Sequence, residues 1–298
     1  MTSTYFASQL LNGLKIGSVY AIVAIGYSMV YGILRLINFA HGDILTVGVY
    51  TILTLMVTSG LPLWMVITIS IIVSIGVGIM VERFAYRPLR SAGEETTLIS
   101  SLAVSSLLQN IITMIYSPQK KAFHLPAYLT ELHSFGGLRL STMNIITFAA
   151  VFVILIVLSV VIKKTSMGMA MRACSDNMTA ARLMGINVNN VIVMAFAIGC
   201  GLAAAAGLML AGEYKTIEPL MGFVPGLKAF CAAVLGGIGS LSGAVAGGFI
   251  LGIAEMLFAG LMPTSVTAYR EAFVFFLLII VLLFKPNGLF GEKGGNKS

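Results

Sequence analysis

The chain has 298 residues, of which 58% are hydrophobic and only 10% charged, where an average soluble domain carries roughly 25% charged residues. A soluble body of this composition would lack the polar surface to cover itself, so lipid is its outer solvent, in keeping with a mean hydropathy of +0.99. The net charge of +7 does not mark a nucleic-acid binder, because the basic residues are scattered between apolar runs and form no stripe or recognised module.

A helix needs about 20 mainly apolar residues to cross the hydrocarbon core. Such runs predict membrane-embedded segments at 10–34, 43–59, 63–82, 97–116, 143–162, 189–212, 227–239, 241–262 and 266–284. The expected fold is all-α, a polytopic transmembrane helical bundle of about 8–9 segments forming one domain over residues 1–298. The seventh segment is too short to span unaided. Gly236, Gly237 and Gly239 at its end point to a broken or re-entrant helix, a shape tolerated only where protein or water covers the backbone.

Arg35, Arg83, Arg87, Arg90, Lys163, Lys164, Arg172, Arg182, Lys285, Lys293 and Lys297 fall on one side of these segments, eleven in all. Lys120, Lys121, Arg139, Lys215, Lys228 and Arg270, six residues, fall on the other. Cytoplasmic loops carry the excess of Lys and Arg, so the first side is expected inside, with the C-terminus cytoplasmic and, for nine crossings, the N-terminus outside. Lys15 lies within the first span, where snorkelling to the interface is the simplest account. The first fourteen residues hold no Lys or Arg, which argues against a cleavable signal peptide.

Two connections exceed turn length: an external loop at 117–142 and a cytoplasmic one at 163–188. The second carries Met167, Met171, Cys174, Met178, Ala181, Leu183 and Met184, a spacing that partly suits short amphipathic helices. Asp176 or Asn177 is placed to cap a helix that Gly185 ends. An apolar face on such a helix needs something to dock against, either the bundle's own helix ends or a partner.

Small residues recur at intervals of four, as Gly199, Ala203 and Gly207 and again as Gly239, Gly243 and Gly247, with Gly248 and Gly252 alongside. In lipid such stripes let helices approach closely, and close packing is the role expected of them. GGIGSLSGAVAGG lacks the Lys-Ser/Thr ending of a phosphate loop, and no Walker motif occurs. If transport uses ATP, another chain hydrolyses it.

Polar groups inside spans are costly and often functional. Besides Lys15 they are Gln109, Asn110 and Glu255, with Asn38, His41 and Asp43 at the break between the first two spans. Glu255 is expected to line a polar path or pair with another polar group. Asp43 is expected to cap the second helix. No Ser, His and acid arrangement suggests a hydrolase, and no HExxH site occurs. Cys174, Cys200 and Cys231 have no metal-ligand spacing. No catalytic or metal site is read, and the chain is expected not to be an enzyme.

Residues 12–50, NGLKIGSVYAIVAIGYSMVYGILRLINFAHGDILTVGVY, closely resemble the start of bacterial ABC permeases for branched-chain amino acids. INFAHGD at 37–43 is the most specific part. RACSDNMTAARLMGI at 172–186, LGGIGSLSGAVAGGFILGIAE at 235–255 and KPNGLFG at 285–291 resemble the same family in order along the chain, and INFAHGD with the KPNGLFG end favours its LivH-type subunit. ABC importers often carry Glu-Ala-Ala, three residues, then Gly in their coupling loop. Here Thr179, Ala180 and Ala181 precede Gly185 at that spacing, with Thr179 in place of the acid and no downstream Pro.

The resemblance implies an importer subunit in the bacterial plasma membrane that moves leucine, isoleucine or valine. Met171, Arg172, Thr179, Ala180, Ala181, Arg182 and Gly185 would form the ATPase-coupling loop, and Asn38, Phe39, His41, Gly42 and Asp43 a family motif near the translocation path. The implied partners are a second related permease, two cytoplasmic ABC ATPase subunits, an external amino-acid-binding protein and the lipid bilayer. ATP and Mg would bind the ATPases, with no cofactor in this chain. Urea or short-amide permeases look similar and are the alternative. An ion-coupled secondary transporter would need paired broken helices with midplane ion ligands, and a channel a ring of selective polar groups, neither of which the sequence displays.

Overall fold

The computed structural model describes residues 3–90, 92–135 and 138–290; Lys293, Lys297 and the Gly291 of KPNGLFG lie outside them. In chain order the elements begin with α1 (Ser3–Leu34), α2 (His41–Thr58) and α3 (Leu63–Val81), which runs into a π turn and a 3-10 turn ending at Leu89. Then come α4 (Glu94–Tyr116), β1 (Lys121–Ala122), α5 (Ala127–Thr130), β2 (Leu132–Phe135), β3 (Leu138–Ser141) and α6 (Thr142–Lys164). After α7 (Ser166–Asp176), α8 (Met178–Leu183) and α9 (Val188–Tyr214) follow β4 (Thr216–Ile217), α10 (Phe223–Gly236), α11 (Leu241–Leu261), α12 (Thr264–Thr267) and α13 (Arg270–Phe284).

Seven helices among the described residues are long and apolar enough to cross a membrane: α1, α2, α3, α4, α6, α9 and α11. The two other segments expected from sequence correspond to shorter helices, 14 residues in α10 and 15 in α13. Two antiparallel ribbons, β2 with β3 and β1 with β4, were not expected from sequence. They decorate one end of the bundle, called here the ribbon end; α7 and α8 occupy the other.

α1 is the most enclosed helix, and it is enclosed because its neighbours are thin. α11 runs antiparallel to it: Tyr5 Oη donates to the Gly260 carbonyl at 2.9 Å, while Gly32 at the far end approaches Gly239. Between them, a Cβ on Gly13 would come within 2.6 Å of Ile253 Cα, and one on Gly248 within 2.6 Å of Ala21 Cα. Close backbone approach of this kind is how helices associate without a hydrophobic drive between them. Gly243 and Gly247 face α10 in the same way, and Gly199 and Gly207 of α9 face α1 and α2. Gly239 departs from the expected stripe. It lies in the α10–α11 turn at φ +96°, a backbone position that glycine alone adopts at little cost.

Outer faces of α3, α4 and α6 carry exposed Ile72, Met80, Met114 and Ile156, the surface a lipid-bathed bundle requires. The segment after α13 folds back onto α10: Leu289 and Phe290 donate their N–H groups to the carbonyls of Leu235 and Gly236 at 2.8 and 3.1 Å. These are among the orphan acceptors that every helix C-terminus leaves.

Candidate functional site

Two helices begin deep within the bundle, and they meet. α1 ends at Leu34, the chain turns back through 35–40, and α2 starts at His41 with its imidazole wedged between Gly26 of α1 and Gly199 of α9. Gly199 lies roughly 16 Å along α9 from its α7–α8 end at 1.5 Å per residue, about half of a 30 Å hydrocarbon core. From the ribbon end, residues 218–222 descend to α10, which starts against the same place, with Gly222 and Gly226 packed on Gly42. The seventh segment therefore starts at Phe223 rather than 227, and at about 21 Å of helix it does not span alone. Non-helical backbone at this depth is tolerated because protein covers it: Asn38, Ala40, His41, Gly42 and Asp43 are all buried.

The side chains of INFAHGD each reach a different helix. Asn38 Oδ1 accepts from Tyr86 Oη at 2.7 Å, tying the turn to the end of α3. His41 stacks edge-on with Tyr27 at 4.6 Å between centroids, and Phe39 lies 6.3 Å from Phe230 of α10. Asp43 does not cap α2, whose start has no side-chain cap bond. Its carboxylate instead accepts from Ser105 Oγ at 2.5 Å and Gln109 Nε2 at 3.0 Å, both on α4. Ser105 is itself buried, so the carboxylate supplies an acceptor for a hydroxyl that has no access to water. Asn110, one residue on, turns outward and bonds its own helix at the Ser106 carbonyl.

Nearer the ribbon end a second polar cluster lies between α1, α10, α11 and α13. Glu255 is buried and accepts from Tyr20 Oη at 2.9 Å and Lys228 Nζ at 2.6 Å, and it forms an ion pair with Arg270 Nε at 3.1 Å. Lys228 also reaches Glu271 at 2.8 Å. The expected pairing of Glu255 is thus observed, but sequence reading assigned Lys228 and Arg270 to loops and missed Tyr20 and Glu271. The available signal was a lysine within the apolar run FVPGLKAFCAAVLG, an expense that calls for a partner.

At the opposite end α7 and α8 form a helix pair. The Asn177 side chain caps α8 by accepting from the Thr179 and Ala180 N–H groups at 2.9 and 3.0 Å, and Gly185 at φ +83° closes it. Met171, Cys174 and Ala181 turn inward and are buried. Arg172 donates to the Ile162 carbonyl, and Ser175 Oγ donates to the Gly32 carbonyl of α1 at 2.7 Å. Thr179, Ala180 and Arg182 face outward beside Leu183 and Met184, which are 84% and 83% exposed. One face of the pair packs on the bundle, and Leu183 and Met184 on the other have no cover among the described residues.

The sequence profile of the family described as "Branched-chain amino acid transport system / permease component" matches residues 9–282. The chain belongs to that permease family. Among its similar proteins, the high-affinity branched-chain amino acid transport system permease protein BraD of Pseudomonas aeruginosa is 42% identical, over 97% of this chain and 96% of that one. The corresponding LivH of Escherichia coli is 39% identical over the same shares. The ribose import permease protein RbsC of Haemophilus influenzae is 28% identical over 97% and 88%. A solved structure of PsaBC from Streptococcus pneumoniae in complex with Fab has a similar fold, with a TM-score of 0.50, 15% identity and coverage of 93% and 91%. For a permease of this family, a midplane meeting of helix ends, a ribbon-end ion cluster and an uncovered helix pair are three separable features to interpret.

Proposed function

We propose that this chain is a membrane-spanning permease subunit of an ATP-driven importer for leucine, isoleucine and valine, moving substrate by alternating access. The observation that carries the reading is the family match over nearly the whole chain. Supporting it, α7 and α8 pack on α1 through Ser175 and leave Leu183 and Met184 bare, as a docking element for a soluble ATPase requires. This end carries the excess of Lys and Arg, so it faces the cytoplasm, while the ribbon end faces a substrate-binding protein. Its partners are two ATPase subunits, which hold ATP and Mg, and a second permease seated among the exposed α3, α4, α6 or α13 faces. A ligand shifts such an equilibrium only through differential affinity for its two states, so ATP and the loaded binding protein drive the cycle.

The test replaces Gly185 by Val, a β-branched residue that tolerates φ +83° poorly. The variant is expected to insert and fold in the membrane while ATP-driven leucine uptake is lost. Normal ATP-dependent uptake would remove the coupling assignment. Assaying urea and short amides beside leucine decides between the substrate classes.

A further inference from the structure

The ion cluster borders a cavity of about 440 Å³, within the roughly 300–1,000 Å³ of small-molecule sites. Its lining is of two kinds. Tyr20, Lys228, Arg270, Glu271 and the Lys120–Glu218 ion pair supply charge and hydrogen bonds, whereas Ile217, Leu220, Met221, Val224 and Pro225 supply apolar surface.

We propose that this cavity is an amino-acid site within the permease itself, holding a zwitterion by its two charges and an apolar side chain by the descending segment. Arg270 takes the carboxylate and Glu271 takes the ammonium, while Lys228 stays buried between Glu255 and Glu271. The assignment rests on the transport reading above for its direction of use, but its chemistry stands on the cluster alone. Glu255 is a fixed anchor, because Tyr20 and Lys228 donate to it, the Arg270 guanidinium pairs with it and it is 1% exposed. The other half of the cluster is open. The Arg270 and Glu271 side chains are 38% and 43% exposed, and their mutual contact is the loosest in the cluster at 3.5 Å.

Charge balance selects the ligand class. The cluster holds two cations, Lys228 and Arg270, and two anions, Glu255 and Glu271, and the Lys120–Glu218 pair of the cavity wall adds one of each, so a lone ion of either sign would leave a net charge beside the buried Lys228 and Glu255. A zwitterion inserted between Arg270 and Glu271 exchanges partners without changing the total. The apolar lining then favours a hydrocarbon side chain over a polar one.

The test uses the assembled importer in nanodiscs without its binding protein, titrated with L-leucine, with leucinamide, which lacks the carboxylate, and with 4-methylpentanoate, which lacks the ammonium. A site built to bond a group rejects analogues lacking it by large factors; both analogues are expected to bind at least roughly tenfold more weakly than leucine. Arg270→Gln should abolish the preference for leucine over leucinamide, and Glu271→Gln the preference over 4-methylpentanoate. Absence of saturable leucine binding, or equal loss for all three ligands in both variants, would overturn the site in favour of a structural ion network. Wild-type leucine uptake with binding protein is read in parallel. Uptake without this binding removes the site alone, whereas binding without uptake removes the transport reading and keeps the site.

Discussion

Gly42, in the first turn of α2, and Gly222, just ahead of α10, touch backbone to backbone: a Cβ on Gly42 would sit 2.5 Å from the Gly222 carbonyl oxygen. Two helix starts can share this depth only because neither position carries a side chain. Gly42→Ala and Gly222→Ala should each destabilise the bundle by about 1–3 kcal/mol through overpacking. Thermal unfolding in detergent measures this, and an unchanged Tm in both variants would show that the junction yields.

Lys228→Met is expected to be more damaging than Tyr20→Phe, although both remove a partner of Glu255. Deleting one member of a buried ion pair costs about 3–5 kcal/mol because a charge is left behind; losing a neutral donor to a charged acceptor costs roughly 1.5–3 kcal/mol. The Arg270 contact places Lys228→Met toward the lower end. Adding Glu255→Leu to Lys228→Met should recover part of the loss, as read by the midpoint of thermal inactivation.

Asp43→Leu strands the buried Ser105 hydroxyl, whereas the half-buried Gln109 Nε2 keeps its bond to Ser105 Oγ at 3.2 Å. A loss of about 1–3 kcal/mol for the stranded buried group follows. Asp43→Asn keeps acceptor capacity and should retain most of the stability. Equal expression and melting of both variants would show that the α2–α4 bridge contributes nothing.

Cys174 of α7 is 1% exposed, and burial raises its thiol pKa above the ordinary value. The thiolate is the reactive form, so maleimide labelling of Cys174 in the resting permease should be slow and should quicken as pH rises toward and beyond the raised pKa. Nucleotide-driven movement of α7 away from α1 would accelerate it. Fast labelling in the resting state would contradict the packing of α7 on α1.

Leu183→Asp together with Met184→Asp places charge on an uncovered surface and should leave the Tm within about 1 °C, since exposed substitutions are usually near neutral. Co-purification of ATPase chains should fall severalfold. Undiminished recovery would move the docking surface elsewhere.

Much of this architecture was legible because lipid imposes a length rule that composition displays directly. The α8 cap was equally legible, since Asn177 and Gly185 are local signals. The Glu255 cluster was only partly foreseen because Lys228 and its partners Glu255 and Glu271 lie on helices far apart along the chain. Asp43 was misassigned for the same reason. A cap is visible from neighbours in sequence, and a bond to Ser105 is not. The ribbons escaped notice because two to four residues per strand carry too little alternation to register.

The return of the Leu289 and Phe290 N–H groups to the Leu235 and Gly236 carbonyls bears on the order of assembly. A ribosome delivers α10 well before it delivers the segment that satisfies α10's last acceptors. Until α11 and α13 have entered the membrane and brought residues 285–290 back, the end of α10 must be served by water or by the insertion machinery. The half-helix on which the midplane junction depends is therefore among the last parts of the bundle to be finished, and the last-made stretch of the described chain is what finishes it.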